Sequence, residues 1–142
     1  MALNALFLSV LERIRDHAPT LDPVLSTSQH TVEVFLRRLA FSLSHGWTLD
    51  TMAQECGLSR TQFAGYCRRL TNMTPMQYLQ HLRLEEAMRL LRGAEMRSVT
   101  DIAFACGFNS SQYFANAFRR RFGHPPKSEL ATRAGVKVAA AM

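Results

Sequence analysis

The sequence has few cysteines, and their arrangement argues against metal binding and disulfide pairing. Only Cys56, Cys67 and Cys106 occur, with no CxxC spacing and no even number to form pairs. The five histidines are scattered, and none has a cysteine or carboxylate at the spacing of metal ligands. We therefore predict no zinc site, no other metal, no cofactor and no disulfide framework. A reducing compartment such as the cytoplasm fits this pattern.

Long apolar runs are also lacking, and no stretch reaches the roughly 20 residues of a membrane-spanning helix. The apolar residues 2–11 lack the basic region and the A-x-A site of a secretory signal, and Glu12 and Arg13 follow at once. Apolar side chains at helical spacing instead predict an amphipathic helix over residues 3–17. We expect it to pack on the main domain; the alternatives are self-association or partner binding through residues 3–14, or the remnant of a larger chain.

Lysine is scarce, since fifteen of the seventeen cationic residues are arginine. The planar guanidinium favours bidentate contacts to phosphate or guanine. The net charge of +6 is unevenly spread, with −2 over residues 1–58 and +8 over residues 59–142. A hydrophobic content of 47% is enough for a packed core. The basic part therefore predicts a polyanion-binding surface, with an ordinary solvated surface as the alternative.

Residues 98–126 predict two short helices joined by a tight turn. Ser98 is a suitable N-cap, with Asp101 completing a capping box, and Gly107 marks the turn before Ser110 caps the second helix. The apolar face of that helix carries Phe114, Phe118 and Phe122, and the opposite face carries Ser111, Gln112, Asn116, Arg119 and Arg120. Such polar and cationic groups read base edges and bind phosphates, so the segment is typical of a helix-turn-helix.

The same pattern occurs once more, about 50 residues earlier. Residues 48–57 align with residues 98–107, and after the turn one added residue changes the offset to 51. Ser59 then aligns with Ser110, Phe63 with Phe114, and Arg68-Arg69 with Arg119-Arg120. The chain is therefore predicted to contain two helix-turn-helix units.

The remaining segments predict the connections. Residues 20–30 are interpreted as a loop and residues 31–44 as a helix, with Trp47 anchoring the core where that helix meets the next. Pro75 opens a linker helix over residues 76–92, about 25 Å long at ~1.5 Å per residue. Such a strut can hold two recognition helices about one DNA turn, roughly 34 Å, apart.

These motifs resemble the AraC/XylS family of bacterial transcription regulators. The resemblance rests on WTLDTMAQECGLSRTQF, TPMQYLQHLRLEEAMRLL and, most specifically, DIAFACGFNSSQYFANAFRRRFGHPP, and it covers about two thirds of the chain. It implies an all-α fold of two homeodomain-like three-helix units joined by a linker helix, besides the extra N-terminal helix. The predicted divisions are residues 1–30, 31–74, 75–93, 94–134 and a tail over 135–142.

The resemblance also implies a function and a set of contacts. Two recognition helices enter successive major-groove segments of double-stranded DNA, and the protein positions RNA polymerase at a promoter. Candidate base contacts are Arg60, Thr61, Ser111, Gln112 and Asn116. Candidate phosphate contacts are Arg68, Arg69, Arg119 and Arg120, which lie late in their helices. The expected location is the bacterial cytoplasm, at the nucleoid.

Two departures from the family pattern carry expectations of their own. Ala64 and Gly65 stand where the first recognition helix usually has larger polar or cationic side chains, which predicts base readout concentrated in the second unit. Glu129-Leu130 stands where an aromatic residue followed by Arg is usual, which predicts looser packing of a closing helix from Pro126 to about Ala134.

Two other classes of function are consistent with parts of the sequence. DNA-repair methyltransferases can carry a domain of this type, but neither a proline-cysteine motif nor a four-cysteine zinc site is present, so we predict no enzyme activity. A protein-interaction module using residues 3–14 is the second alternative, and the small residues Ala64 and Gly65 favour it. The chain also resembles either a stand-alone regulator or the DNA-binding excerpt of an effector-responsive one, because it contains no β-rich region.

Overall fold

The computed structural model describes residues 23–93 and 97–132 of the chain. Its helices are α1 (Pro23–Leu39), α2 (Leu49–Glu55), α3 (Arg60–Thr71), α4 (Pro75–Arg92), α5 (Val99–Ala105) and α6 (Ser111–Phe122). Residues 126–132 are also helical, and no strand occurs in the described ranges, so the all-α prediction is confirmed. The predicted helix over residues 3–17, its role in self-association and the tail over 135–142 lie outside the described residues.

Five helices begin directly after a hydroxyl residue. Each N-cap side chain accepts a hydrogen bond from the backbone N–H three residues later; these caps are Thr48, Ser59, Thr74, Ser98 and Ser110. The capping box predicted at Ser98 is only half formed, because the Asp101 side chain returns no bond to the Ser98 N–H. The exposed Asp101 carboxylate still lies in the first turn, where it interacts favourably with the positive helix end.

Helix α1 differs from the sequence-based expectation at both ends. It starts at Pro23, so the interpretation of residues 20–30 as a loop is wrong for residues 23–30. Proline suits the first helical position, and Thr31 Oγ1 donates to the Thr27 carbonyl at 2.9 Å, which accommodates a hydroxyl side chain inside the helix. At the other end, Phe41 N–H donates to Arg38 O at 3.0 Å, and this tighter turn ends the helix five residues before the predicted Ser44.

Two separate cores hold the described chain together. The first core contains Val32, Leu36, Leu39, Leu43, Met52, Ala53, Phe63, Tyr66, Cys67 and Leu79. The second core contains Leu84, Ala87, Met88, Leu91, Ile102, Ala103, Cys106, Phe108, Phe114, Ala117 and Phe118. Helix α4 supplies side chains to both cores. The helix therefore links two packed units.

The first core is closed by aromatic contacts around the single tryptophan. The Trp47 ring packs edge-on against Phe35, with centroids 5.4 Å apart, and Phe35 contacts Phe63 in the same way at 5.7 Å. Trp47 Nε1 donates to the Ser42 carbonyl at 2.9 Å, which satisfies the indole while its ring is half-buried. The predicted anchoring role of Trp47 is confirmed.

The expectation of a loosely packed closing helix is not met. Pro126 is buried, and Leu130 packs against the second core. The Glu129 carboxylate contacts His124 Nε2 at 2.8 Å and Arg92 Nε at 3.4 Å. The bond to His124 and the proximity of Arg92 hold the pKa of Glu129 below its usual range. Glu129 thus joins the end of α4 to the end of the second unit.

Candidate nucleic-acid interface

Helix α6 presents the predicted polar face to solvent. Phe114, Ala117 and Phe118 are buried on its inner side, with Phe114 and Phe118 at 0% exposure. The outer side carries four exposed candidates and one half-buried one; these are Gln112, Asn116, Arg119 and Arg120, with Ser111 half-buried at the first helical position. The structure therefore brings all five α6 candidates onto one helix.

The amides on α6 are connected to each other. Gln112 Nε2 donates to Asn116 Oδ1 at 3.3 Å, one helical turn along the exposed face. Both amides keep further donor and acceptor groups, and an amide can pair bidentately with adenine. The contact gives the two side chains a common orientation before any ligand binds.

Helix α3 carries the other four candidates but a smaller polar surface. Arg60, Thr61, Arg68 and Arg69 are exposed, whereas Phe63, Tyr66 and Cys67 are buried on the inner face. Between these candidates lie the half-buried Ala64 and the exposed Gly65, neither of which has a group for hydrogen bonding to a base. The middle of α3 is therefore bare.

Arg60 is positioned by its neighbour on α2. Arg60 Nε lies 3.1 Å from Asp50 Oδ1, and both side chains are mostly exposed. An exposed ion pair of this kind stabilises the fold by at most about 1 kcal/mol and is easily exchanged. Asp50 can therefore orient the guanidinium without preventing a contact to another acceptor.

The two candidate helices are equivalent in structure as well as in sequence. Each begins at a capping serine and ends at a residue in the left-handed conformation, Asn72 with φ 61° in α3 and Gly123 with φ 84° in α6. The arginine pairs predicted to bind phosphate lie in the last turns of these helices. One repeated design therefore places the cations at corresponding points in both units.

The turns before the two helices also match. Gly57 and Gly107 have φ values of 65° and 97°, a region that favours glycine. Leu58 N–H donates to Ala53 O, and Phe108 N–H donates to Ala103 O, each at 3.0 Å. The added residue that changes the repeat offset is the exposed Asn109, which lies after this bond. The insertion thus leaves the turn unchanged.

Three residues near α6 make contacts that sequence reasoning missed or left undecided. Tyr113, whose orientation the sequence leaves open, is 50% exposed and donates its hydroxyl to Gln80 Oε1 at 3.1 Å. Arg121 pairs with Glu85 at 3.0 Å. Arg83 bonds to backbone carbonyls of the first unit. The partner of each residue is either a side chain of the linker helix or a backbone carbonyl, more than 30 residues away in the sequence. A local sequence pattern therefore does not indicate these contacts.

The cysteines are placed as small core residues. Cys56 and Cys106 precede the two turn glycines, and burial, with a smaller contribution from Glu55 and Glu86 respectively, raises the pKa of each thiol to about 11. Thiols with such pKa values stay protonated near neutral pH and react slowly. Among residues 23–93 and 97–132, no three His, Cys, Asp or Glu side chains meet as a metal site. No helix in those ranges is long and apolar enough to cross a membrane.

Comparison with protein families and known sequences gives a consistent result. A family model described as a helix-turn-helix domain matches residues 52–132. The transcriptional activator RhaS of Escherichia coli strain SE11 is 34% identical over 122 residues, which are 86% of this chain and 43% of RhaS. The transcriptional regulator AlkR of Acinetobacter baylyi is 30% identical over 128 residues, 82% of this chain and 39% of AlkR. The chain thus spans about two fifths of the length of these relatives.

Solved structures share the fold. The DNA-binding domain of AdpA, a global transcriptional factor crystallised with a target DNA, aligns with a TM-score of 0.69 and 31% identity, covering 72% of this chain and 93% of that domain. A regulator from Chromobacterium violaceum with an AraC-type DNA-binding domain aligns with a TM-score of 0.67 and 28% identity, covering 77% and 96%. The family match over residues 52–132 includes α3, the linker helix α4, and the second helix pair α5 and α6, and the chain belongs to the AraC/XylS family of helix-turn-helix transcription regulators.

Proposed function

We propose that this chain binds double-stranded DNA sequence-specifically and regulates transcription, with α3 and α6 in successive major-groove segments. The observation that carries the proposal is the repeated pair of serine-capped helices, each with a buried aromatic face and an exposed arginine pair in its last turn. A helix-turn-helix places its second helix in the major groove, N-terminal residues toward the bases. AdpA was crystallised with DNA, and RhaS is named an activator.

The base contacts are assigned to the first halves of the two helices. In α6 these are Ser111, Gln112 and Asn116, and in α3 they are Arg60 and Thr61. The linked amides of Gln112 and Asn116 support adenine readout. The bare middle of α3 supports a weaker readout by the first unit, through Arg60 and DNA shape.

The phosphate contacts are assigned to Arg68, Arg69, Arg119 and Arg120. All four are exposed and lie in the last turns of their helices, which supports contacts to the backbone at the rim of the groove. Arg69 lies over the Tyr66 ring, with its guanidinium carbon 5.8 Å from the ring centroid, which limits its freedom before binding. These contacts give affinity and orientation and leave sequence readout to the first halves of the two helices.

The wider role follows from the family. We infer that the chain acts at promoters in the bacterial cytoplasm, at the nucleoid, with RNA polymerase as its protein partner, and that it has no enzyme activity of its own. The unit boundaries are proposed at residues 23–74, 75–93 and 94–134, with the first moved to include the start of α1. Self-association through residues 3–14 remains a separate proposal.

Salt dependence tests the phosphate assignment. If each of the four arginines neutralises one phosphate, they contribute about −0.9 each to the slope of log affinity against log salt concentration. Arg119→Ala should weaken binding to all sequences alike and make that slope shallower by about 1. Titrations of a fluorescent duplex at several salt concentrations measure both quantities. The matched control is Arg37→Ala, because Arg37 is exposed on α1 and paired with Glu33 at 2.6 Å. An unchanged slope would remove Arg119 from the phosphate set.

The two recognition helices should differ in how much sequence they read. Gln112→Ala should cost about 1–3 kcal/mol on the preferred site and relax specificity at one or two positions. Gly65→Ala should leave specificity unchanged and stabilise the helix by about 1 kcal/mol, because a β-carbon there meets nothing within 4 Å. Selected-site motifs of the wild type and both variants make the comparison. Equal information in both halves of the motif, or an unchanged motif for Gln112→Ala, would contradict the assignment of base readout to α6.

A further inference from the structure

The linker helix changes partners near its middle. Leu79 belongs to the first core, whereas Leu84, Ala87 and Met88 belong to the second. Arg83 lies at the point of change and is half-buried. Because the two cores share no residue, the angle between the units depends on the continuous helix α4 and on the contacts made at this point of it.

Arg83 binds the first unit through two backbone carbonyls. Its Nε donates to Leu43 O and its Nη2 donates to His45 O, each at 2.9 Å. These carbonyls are accessible because α1 ends at Leu39 and the chain turns before α2. A guanidinium offers two donors in one plane, so the pair of bonds sets its orientation as well as its position. Burial lowers the pKa of Arg83 below its usual range.

The second unit reaches the same place through its turn. A β-carbon built on Gly107 would lie 2.7 Å from Arg83 Nε, and closer still to the Leu43 carbonyl oxygen. The Gly107 α-carbon therefore lies directly against the hydrogen bond from Arg83 Nε to the Leu43 carbonyl oxygen, with no room for a side chain. At the equivalent Gly57 a β-carbon meets nothing within 4 Å. Only the turn of the second helix-turn-helix unit makes this close approach. Residues 43–45, Arg83 and Gly107 therefore meet at one point.

We propose that Arg83 is a positioning residue that fixes the angle between the two recognition helices, with Gly107 as the surface against which it is held. Its consequence for DNA rests on the proposed function. Adjacent base pairs are rotated by about 34–36° because a turn holds 10–10.5 base pairs. A fixed angle between α3 and α6 therefore restricts binding to one spacing of the two half-sites.

The joint itself can be tested without DNA. Residual dipolar couplings of backbone N–H groups, measured on the full chain in a dilute aligned medium, report whether the two units share one orientation. For the wild type and for the charge-matched control Arg37→Met, one alignment tensor should fit both units. For Arg83→Met, each unit should still fit its own structure, but the two tensors should differ in magnitude. Arg83→Lys should give an intermediate result, because an ammonium lacks the planar pair of donors. A single shared tensor for Arg83→Met would overturn the proposal.

The DNA consequence is measured on duplexes in which the spacing between two selected half-sites changes by one or two base pairs. The wild type and Arg37→Met should bind the selected spacing at least about 10-fold more tightly than its neighbours. Arg83→Met should bind the selected spacing about 10-fold more weakly, with the preference between spacings reduced to less than about 3-fold. Partial unfolding alone would weaken all spacings equally, and that result would overturn the proposal. A wild type that selects no DNA sequence would instead refute the proposed function, while the couplings still decide the role of Arg83.

Discussion

Gly107→Ala should destabilise the protein by about 2–5 kcal/mol, whereas Gly57→Ala should cost only about 1–2 kcal/mol. Both glycines have positive φ values, 97° and 65°, so alanine pays the left-handed backbone penalty of about 1–2 kcal/mol at either position. Only at Gly107 does the new β-carbon also collide, with the Leu43 carbonyl and the Arg83 guanidinium. A backbone carbonyl cannot swing aside as a flexible side chain does, so overpacking adds about 1–3 kcal/mol.

The pair of variants makes its own control, because the two turns share the same backbone bond and the same place before a recognition helix. Urea unfolding followed by far-ultraviolet circular dichroism measures the free energy of unfolding of each variant against the wild type. Equal costs for Gly57→Ala and Gly107→Ala would contradict the close approach of the second turn to the first unit. The Gly107→Ala variant should also tolerate a wider range of half-site spacings, as is expected of Arg83→Met.

Inserting five base pairs between the two half-sites should reduce affinity at least about 100-fold. The insertion turns one half-site by about half a helical turn, so only one recognition helix can stay in its groove. Each lost bidentate base contact is worth about 1–3 kcal/mol, and phosphate contacts of that unit are lost as well. Helix α4 has 18 residues and is therefore about 27 Å long, which leaves no slack for the second unit to reach the far side.

Two further duplexes sharpen the phasing test. Five base pairs inserted outside the two half-sites should leave affinity unchanged. Ten base pairs inserted between them return both half-sites to the same face of the DNA but separate them by about one more helical turn. A rigid link between the units then predicts no recovery of affinity, whereas a flexible tether predicts partial recovery. Gel shifts with footprinting measure affinity and protected positions together. Undiminished binding after the five-base-pair insertion would contradict the rigid arrangement of the two units.

Much of the fold is predictable because its signals are local or repeated. N-cap hydroxyls, turn glycines and the Phe stripe each act within a few residues, so Ser59, Ser110, Gly107 and Phe118 occupy the places that the sequence predicts. The internal repeat supports each assignment with a second copy. The family resemblance then supplies the order of the helices, which periodicity alone does not give.

The misjudged features depend on tertiary contacts. The sequence around the start of α1 is rich in serine and threonine, which is typical of loops. The same residues fit a helix when a side-chain hydroxyl donates a hydrogen bond to a backbone carbonyl of the preceding turn, as Thr31 does to Thr27. The firm closing helix depends on Glu129 meeting Arg92, 37 residues away. Arg83 donates hydrogen bonds to backbone carbonyls 38 and 40 residues earlier. Every residue has a backbone carbonyl, so the residue types in the sequence do not indicate which ones accept these bonds.

The candidate contacts have a different status from the fold. The exposed positions of Arg60, Thr61, Gln112, Asn116 and the arginine pairs agree with the sequence-based assignment, and Ser111 lies half-buried at the edge of the same face. Exposure is a condition for DNA contact, and the roles of these residues remain predictions. The readout asymmetry depends on them most, since α3 carries Ala64 and Gly65 in its middle.

Selection of bound sequences from a random pool of duplex DNA tests whether the two helix-turn-helix units together read one DNA site. The full chain is incubated with the pool at moderate salt, bound duplexes are amplified over several rounds, and the enriched sequences are aligned. We expect one motif with two blocks about 10 base pairs apart on one face, with more information in the block under α6. A single block, or no enrichment over a pool carried through without protein, would contradict it.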